Sequence, residues 1–315
     1  MSTIVWMRDR EQRESLGPLP DGVELHLIPE GSEPPAGIVN AEFLVPPYDS
    51  RPLLQLLRQM PRLAVVQAIS AGTEWLLPWV PAGVTLCSAR GTRDTAVAEW
   101  VLAAIFAMEK RIPVFAQRQS EHVWSHELLD ELAGKRALLV GYGSIGRCVA
   151  DKLAALGVNI DGVASTARAG IYGVESLPEL LGAADIVVLT VPLTPRTRHL
   201  FDDRMLARMR PGALLVNAAR GAVVDTDALL AHLLAGRIRA ALDVTDPEPL
   251  PRGHPLWDAP GVLLTPHLAG DSPQAEDRVY RFIGEQIRRY ALGEPLHNVV
   301  TRADEDSGSS QEALS

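Results

Sequence analysis

A short apolar run followed by three glycines at fixed spacing is the feature that most constrains what this chain can fold into. Residues 137–140 are Ala-Leu-Leu-Val and precede a glycine, which is typical of a short buried strand. Residues 141–146 are Gly-Tyr-Gly-Ser-Ile-Gly, and apolar residues at helical spacing continue to Leu156. The order of strand, G-x-G-x-x-G and helix is the one that a dinucleotide-binding turn requires.

Each glycine of this turn has a predicted role. Gly141 would make the tight turn, Gly143 would let the backbone approach a pyrophosphate, and Gly146 would let the helix pack closely on the strand. The pyrophosphate would bind the N–H groups at the start of the helix, near Ser144 and Ile145. Because the same pattern also closes ordinary strand–helix units, nucleotide binding needs support from the rest of the chain.

Composition excludes several classes of protein. The 315 residues suffice for two domains, and the net charge of −9 disfavours binding to nucleic acid or to an anionic membrane surface. Cys87 and Cys148 are too few for a disulfide framework or a cysteine-based metal site, and we expect buried spectator thiols. The first residues lack the apolar core of a signal peptide, and no run is long enough to span a membrane, so we expect a cytoplasmic enzyme.

The spacing of apolar residues predicts two α/β domains. Residues 1–93 are predicted to form the smaller domain, with short parallel strands and a helix at residues 53–60. Residues 94–285 are predicted to form a doubly wound parallel sheet, starting with a helix over 94–112 that Pro113 ends. A helix over 275–291 would return the chain to the first domain, which would take in residues 286–300. The tail, residues 301–315, is predicted to be disordered.

Polar residues follow three predicted strands of the second domain. Arg220 follows the strand at 213–217, Asp243 and Glu248 follow the strand at 238–242, and His267 follows the strand at 262–264. Ligands of open α/β sheets bind at the carboxyl ends of strands, so these side chains are candidates for a site.

With these residues the sequence resembles the D-isomer-specific 2-hydroxyacid dehydrogenase family. The matching stretches are residues 141–146, 191–194, 217–225, 242–250 and 255–270, which occur in the family's order and spacing. The resemblance implies a dinucleotide-binding (Rossmann) domain and a smaller flavodoxin-like substrate domain. It also implies reduction of a small 2-keto acid to a D-2-hydroxy acid, on a substrate such as glyoxylate or hydroxypyruvate, or the reverse oxidation.

The resemblance assigns three catalytic residues. Arg220 would hold the substrate carboxylate and polarise the C2 carbonyl, because a planar guanidinium matches carboxylate geometry. His267 would protonate the developing alkoxide, and Glu248 would hydrogen-bond His267 and raise its pKa. Taken singly, each residue is as easily a surface ion pair or a loop cap. No metal is required.

Further contacts are expected from the same resemblance. Substrate would also meet the backbone of Ala71, Gly72 and Thr73, with Trp75 either in the site or in the core. Arg51, Arg90 and Arg93 are either solvated or available to a second anionic group. The residues expected to contact the cofactor are Gly141, Gly143, Ser144, Ile145, Gly146, Ser165, Thr166, Arg168, Val191, Pro192, Thr197, Ala218, Ala219, Arg220, Asp243, His267 and Gly270.

The end of the second strand predicts which nicotinamide cofactor is preferred. NAD-specific folds place Asp or Glu there to bind the ribose 2′-OH, but this chain has Ala164, followed by Ser165, Thr166 and Arg168. Asp161 lies inside the strand and is a poor substitute. Hydroxyls and an arginine would accept a 2′-phosphate, so we expect NADP(H) to be preferred, with NAD(H) possible.

Two other functions remain open at this point. Nucleotide-sensing corepressors share the fold and can keep the catalytic residues, and a short phosphoglycerate dehydrogenase-like enzyme would have the same motifs. Turnover of small 2-keto acids separates the sensor from the enzymes. The resemblance also implies a homodimer, formed through the helix over 94–112 and the segment after it; the breadth of that helix's apolar face fits burial.

Overall fold

The computed structural model describes residues 2–8, 11–29, 33–48 and 50–300, so the predicted tail at 301–315 lies outside the described residues. The chain divides into two compact units. The first unit comprises Met1–Arg93 and Ser272–Ser315, and the second unit comprises Asp94–Asp271.

Strands and helices alternate through both units. The strands are β1 (Thr3–Arg8), β2 (Val23–Ile28), β3 (Phe43–Val45), β4 (Val65–Gln67), β5 (Thr85–Cys87), β6 (Arg136–Val140), β7 (Asn159–Ala164), β8 (Tyr172–Gly173), β9 (Ile186–Leu189), β10 (Leu214–Asn217), β11 (Arg239–Leu242), β12 (Val262–Leu264) and β13 (Val299–Val300). The α-helices are α1 (Arg51–Leu56), α2 (Asp94–Glu109), α3 (Ile112–Ser120), α4 (Ser144–Ala155), α5 (Leu177–Leu180), α6 (Asp203–Arg208), α7 (Thr226–Leu234) and α8 (Pro273–Ala291). Short 3₁₀ helices cover Glu11–Leu16, Ala36–Asn40, Leu57–Gln59, Val174–Ser176, Leu181–Ala183, Gly221–Val223 and Pro255–Trp257.

The sheet of the first unit has the order β13-β5-β4-β3-β1-β2. Neighbouring strands are parallel except β13, which pairs antiparallel with β5. Without β13 the order is the flavodoxin-like one, in which strand 1 lies between strands 2 and 3. The predicted small α/β domain is therefore confirmed, and its antiparallel edge strand is an addition that the sequence analysis missed.

Helix α8 covers one face of this sheet. Its buried side, which includes Val279, Ile283 and Ile287, packs in one cluster with Val5 and Phe43 of the strands. The predicted domain boundary after residue 285 falls inside this helix, whereas the packing places the whole helix in the first unit. The boundary was misplaced because a long amphipathic helix gives no sign in its sequence of which sheet it covers.

The sheet of the second unit is the predicted doubly wound one. Its order is β12-β11-β10-β9-β6-β7-β8, with every pair parallel. The strand order reverses between β6 and β9, so the crevice at the carboxyl ends of these two strands is where this fold binds ligands. β9 and β10 are buried along their whole length and β6 is buried after Arg136, as sheets covered on both faces require.

Two helices stand where one long helix was predicted. Helix α2 ends at Glu109, Arg111 has a left-handed backbone (φ 50°), and Pro113 lies in the first turn of α3. The predicted helix is confirmed as α2, and only its end at residue 112 was wrong. Proline cannot continue a helix but is well suited to the first turn of the next one, so α3 follows directly.

Candidate functional site

The space around the three glycines of the 141–146 turn differs from one glycine to the next. Gly141 has a φ of 102°, and a Cβ there would lie 2.8 Å from the backbone carbonyl carbon of Thr190. A Cβ on Gly146 would collide with the Gly141 carbonyl oxygen, whereas a Cβ on Gly143 would meet no atom within 4 Å. The first and third glycines thus permit a tight turn and close packing, and the second faces open space that a ligand backbone can approach.

The start of α4 fits an anionic group. Its N-cap, Gly143, has no side chain to accept a hydrogen bond from the first turn. The first N–H groups of a helix have no partner inside the helix, and they carry the positive end of its dipole. The residues present therefore fit the pyrophosphate of a dinucleotide.

Two more predicted cofactor loops lie at this edge of the sheet. The Thr190 hydroxyl donates to the Gly141 carbonyl (2.7 Å), which ties the loop after β9 to the glycine turn. In the same loop the Thr197 hydroxyl donates to the Pro192 carbonyl (2.7 Å), and Ala218 N, after β10, donates to Leu189 O (3.2 Å). The structure thus brings the loops of Val191, Thr197 and Ala218 to neighbouring strand ends.

Arg168 reaches the glycine turn from the end of β7. Its Nη2 donates to the Tyr142 carbonyl (2.8 Å), while Ser165 and Thr166 are exposed beside it. Asp161 accepts a hydrogen bond from Arg136 Nε at the opposite end of the neighbouring strand (2.6 Å), and this bond raises the pKa of the Arg136 guanidinium. Asp161 is therefore already paired, and Ala164 leaves the end of β7 without a carboxylate of its own.

Backbone hydrogen bonds align the three loops that carry the predicted catalytic residues. Asp243 N donates to Asn217 O (3.1 Å), and His267 N donates to Asp243 O (2.7 Å). These bonds continue the ladder of β10, β11 and β12 beyond the strand ends. The segments that carry Arg220, Glu248 and His267 therefore start side by side.

His267 and Glu248 form the pair that the resemblance implies. His267 Nδ1 lies 2.5 Å from Glu248 Oε1, and about two fifths of each side chain is exposed. His267 has a left-handed backbone, with a φ of 52°, and its N–H is held by Asp243 and Thr265. With Nδ1 donating to the carboxylate, the proton that His267 can transfer to a ligand is the one on Nε2.

The turn that carries Arg220 is fixed by a residue that the sequence analysis did not single out. Asn217 is buried; its Oδ1 accepts from Ala219 N (3.0 Å) and its Nδ2 donates to Arg220 O (3.0 Å). The signal that would have found it is an asparagine at a strand end followed by a short turn, because Asn side chains often bond the backbone two residues on. Arg220 itself is half-buried, and its Nη1 donates to Ala219 O (2.7 Å).

The loop of Glu248 packs against this turn. A Cβ on Gly221 would collide with the backbone of Thr245, so these two segments of the chain approach as closely as glycine allows. The Thr226 hydroxyl donates to Asp246 O (2.8 Å), which adds a second link. Both contacts hold the Arg220 and Glu248 segments together.

Asp243 is buried and braces the loop of His267. Its carboxylate accepts from the Thr265 hydroxyl (2.6 Å), Leu268 N (3.0 Å) and Ala269 N (2.8 Å). These bonds explain why a buried carboxylate is tolerated here. Its predicted contact with the nicotinamide side of the cofactor stays a prediction, as does the contact of Gly270.

The predicted substrate loop lies in the first unit, after β4. Among the residues that the structure describes, none accepts a hydrogen bond from the N–H groups of Ala71, Gly72 or Thr73. Trp75 is half-buried and packs against the core of this unit, so it is partly a core residue. Arg93 is ion-paired with Glu276, which removes it from the candidates for a second anion site.

Burial affects the two cysteines to different degrees. Burial raises the pKa of the Cys87 thiol to about 11; Cys148 is half-buried, less than predicted, and burial raises its pKa too. Within residues 2–8, 11–29, 33–48 and 50–300, no group of three or more His, Cys, Asp or Glu side chains could hold a metal ion. No helix in that part of the chain has the length and apolar character needed to cross a membrane.

Comparisons with known proteins agree with this geometry. The family model of the D-isomer specific 2-hydroxyacid dehydrogenase NAD binding domain matches residues 102–269. A D-3-phosphoglycerate dehydrogenase of Mycobacterium bovis is 32% identical over 94% of this chain, which spans 58% of that relative's length. A glyoxylate reductase of Thermofilum pendens is 34% identical over 76% of this chain and 75% of its own.

A solved structure shows the same fold. It is a D-isomer specific 2-hydroxyacid dehydrogenase from Xanthobacter autotrophicus in complex with NADPH and MES, with a TM-score of 0.82 and 30% identity. The similarity covers 96% of this chain and 98% of that one. The glycine turn, the paired His267 and Glu248, and these comparisons together show that the chain belongs to the D-isomer specific 2-hydroxyacid dehydrogenase family.

Proposed function

We propose that this protein reduces a small 2-keto acid to the D-2-hydroxy acid with NAD(P)H, and catalyses the reverse oxidation. The observation that carries the proposal is the hydrogen bond of 2.5 Å between His267 and Glu248, at the same sheet edge as Arg220 and the glycine turn. A proton donor, an anion binder and a dinucleotide turn at one edge are the parts that this reaction needs.

Each residue has a defined task in the reduction. Arg220 binds the substrate carboxylate with its planar fork and polarises the C2 carbonyl. His267 gives the proton on Nε2 to the oxygen of the developing alkoxide, while Glu248, on Nδ1, fixes the ring and stabilises the imidazolium before transfer. In the oxidation His267 Nε2 takes the proton back. When bound, the nicotinamide supplies the hydride.

The loop after β4 in the first unit is a second group of residues that we propose for substrate binding. Among the described residues the N–H groups of Ala71, Gly72 and Thr73 have no acceptor, and they form a run of donors that suits a carboxylate. The relatives named above act on a phosphorylated three-carbon acid and on glyoxylate, and both are small 2-hydroxy or 2-keto acids. The substrate class that we propose is therefore the small 2-keto acids.

We infer that NADP(H) is preferred over NAD(H). The end of β7 holds Ala164 in place of a carboxylate, Asp161 is paired with Arg136, and Arg168 is bonded to the glycine turn. A ribose 2′-phosphate would meet hydroxyls and a guanidinium there, and Ala164 brings no carboxylate that would repel it. The Xanthobacter structure that resembles this chain contains NADPH.

We also propose a homodimer. Trp124 is fully exposed and Leu128 is 95% exposed in the segment after α3, and Ile112 and Val123 nearby are also exposed. Large apolar side chains clustered on a surface mark a protein–protein contact. A second copy of this chain is the occupant that the family resemblance implies.

A panel of small 2-keto acids, each assayed with NADPH and NADH, tests the proposed function. We expect turnover of glyoxylate, hydroxypyruvate or phosphohydroxypyruvate, measured as the loss of absorbance of the reduced nicotinamide. Binding of the nucleotide without turnover of any acid would contradict the enzyme and favour the nucleotide-sensing protein.

A further inference from the structure

Two side-chain hydrogen bonds adjoin residues 71–73, whose N–H groups have no acceptor among the described residues. The Ser70 hydroxyl donates to the carbonyl of Gly72 (2.6 Å), which closes the loop on itself. The same hydroxyl accepts a hydrogen bond from Trp75 Nε1 (3.2 Å). Because a hydroxyl has one proton and two lone pairs, both bonds form together.

Trp75 is held in turn from its other side. Its ring packs on the ring of Tyr48, with 4.8 Å between centroids and 38° between planes. The indole also contacts the buried core of the first unit, whereas Tyr48 follows β3 and is about half exposed. The orientation of the indole N–H is therefore set by packing, as offset aromatic contacts restrict a ring.

The rest of the loop is tied down at both ends. Ala89 N donates to Ser70 O (2.9 Å), and the Thr73 carbonyl accepts from Leu76 N (2.9 Å) and Leu77 N (3.1 Å). Between these hydrogen-bonded ends, the bond from Trp75 to the Ser70 hydroxyl and the bond from that hydroxyl to the Gly72 carbonyl orient the peptide groups of residues 71–73. A change in the Gly72 carbonyl direction would rotate the adjoining Thr73 N–H, since both belong to one planar peptide unit.

We propose that Trp75 is a positioning residue for the substrate carboxylate, acting through Ser70 on the backbone of residues 71–73. The inference rests on the proposed function, because it deepens the binding step of that reaction. Trp75 does not touch the substrate; it sets the direction of the N–H groups that bind the substrate carboxylate. Preorganised donors lower the cost of ordering the loop when substrate binds.

The test compares Trp75→Phe with Trp79→Phe. Phenylalanine keeps an aromatic ring on Tyr48 but removes the indole donor, whereas Trp79 is a half-buried tryptophan of the same core whose side chain makes no hydrogen bond to this loop among the described residues. We expect Trp75→Phe to raise the KM for the 2-keto acid about threefold to tenfold, the value of one hydrogen bond, with kcat and the Kd for NADPH unchanged. Trp79→Phe should leave all three constants unchanged.

Ser70 provides a second pair of variants. Ser70→Ala removes both bonds and should raise KM at least as much as Trp75→Phe, whereas Ser70→Thr keeps the hydroxyl and should restore KM. If Ser70 had a purely structural role, Ser70→Ala would lower Tm and change KM and kcat together. Ser70→Thr would then not restore KM. The Kd for oxamate, a non-reducible analogue, measured on the NADPH complex should follow KM.

The outcomes separate the two proposals. Turnover by the wild-type protein with unchanged KM and oxamate Kd in Trp75→Phe and Ser70→Ala overturns this inference alone. Failure of the wild-type protein to bind oxamate and to turn over any 2-keto acid overturns the proposed function, and this inference with it.

Discussion

His267 concentrates proton transfer in one side chain whose two nitrogens have separate tasks. Nδ1 is occupied by Glu248, so only Nε2 is left for the substrate. The carboxylate of Glu248 holds the ring, and the backbone N–H of His267 donates to the carbonyls of Asp243 and Thr265. Proton transfer at this position therefore depends on the imidazole, and the position of the imidazole depends on hydrogen bonds of the main chain.

Replacing His267 by alanine should remove proton transfer without disturbing cofactor binding. We expect kcat to fall about 10²- to 10⁴-fold, the usual contribution of a general acid, with an unchanged Kd for NADPH. His232→Ala is the matched control, since His232 also pairs with a carboxylate of the second unit, Asp203, and should keep full activity. An unchanged kcat in His267→Ala would remove this residue from the mechanism.

Cofactor choice should respond to a single residue at the end of β7. In Ala164→Asp a new carboxylate would bind the ribose 2′-OH and repel a 2′-phosphate, so the ratio of kcat/KM for NADPH to that for NADH should fall about tenfold or more. In Asp161→Asn the ratio should stay as in the wild type, because Arg136 already engages that carboxylate. A wild-type protein that strongly prefers NADH would contradict the argument.

The sequence predicted the placement of Arg220, Glu248 and His267 because each follows an apolar run, and parallel strands end at a common edge. It did not predict the roles of Asn217 and Ser70. Each acts through hydrogen bonds from its side chain to nearby backbone, and such bonds depend on local dihedral angles that a residue pattern does not specify.

At the scale of secondary structure, α2 ends in a buried ionic cluster. Glu109 is buried, and its carboxylate accepts from Lys135 and from Arg239 Nη2 (2.7 Å). Arg239 also donates to the carbonyls of Met108 (3.3 Å) and Gly212 (3.2 Å). The cluster joins the last turn of α2 to the sheet of the second unit.

Glu109→Gln should therefore destabilise the second unit. The amide removes the charge that Lys135 and Arg239 neutralise, and breaking a buried ion pair on one side costs about 3 kcal/mol of unfolding free energy. Urea denaturation measures the change. Glu121→Gln, at an exposed glutamate bonded to Gln117, should change stability by less than about 0.5 kcal/mol. Equal losses of unfolding free energy in Glu109→Gln and Glu121→Gln would contradict the proposed stabilising role of the cluster.

Buried strands were the best predicted elements, and short or edge elements were the worst. β9 and β10 are runs of apolar residues that stand out by composition alone. β8 and β13 have two residues each and are defined by their pairing, β8 with the preceding β7 and β13 with the distant β5. Helix α3 was missed because Pro113 marks a helix start as well as a helix end.

For the molecule as a whole, the exposed apolar surface after α3 predicts the oligomeric state. Trp124→Glu and Leu128→Glu place a charge where the proposed homodimer would bury apolar area, and both should shift the protein from dimer to monomer. Light scattering coupled to size-exclusion chromatography measures the mass. Leu234→Glu, at an exposed leucine of α7, is the control and should leave the dimer intact. A monomeric wild-type protein would contradict the proposal.

The hydrogen bonds from His267 to Asp243 and from Asp243 to Asn217 have a consequence for how activity is lost. They are rungs of the same ladder that holds β10, β11 and β12, so the catalytic geometry shares the cooperative melting of that sheet. During gradual denaturation, inactivation should accompany the collapse of this sheet instead of preceding it.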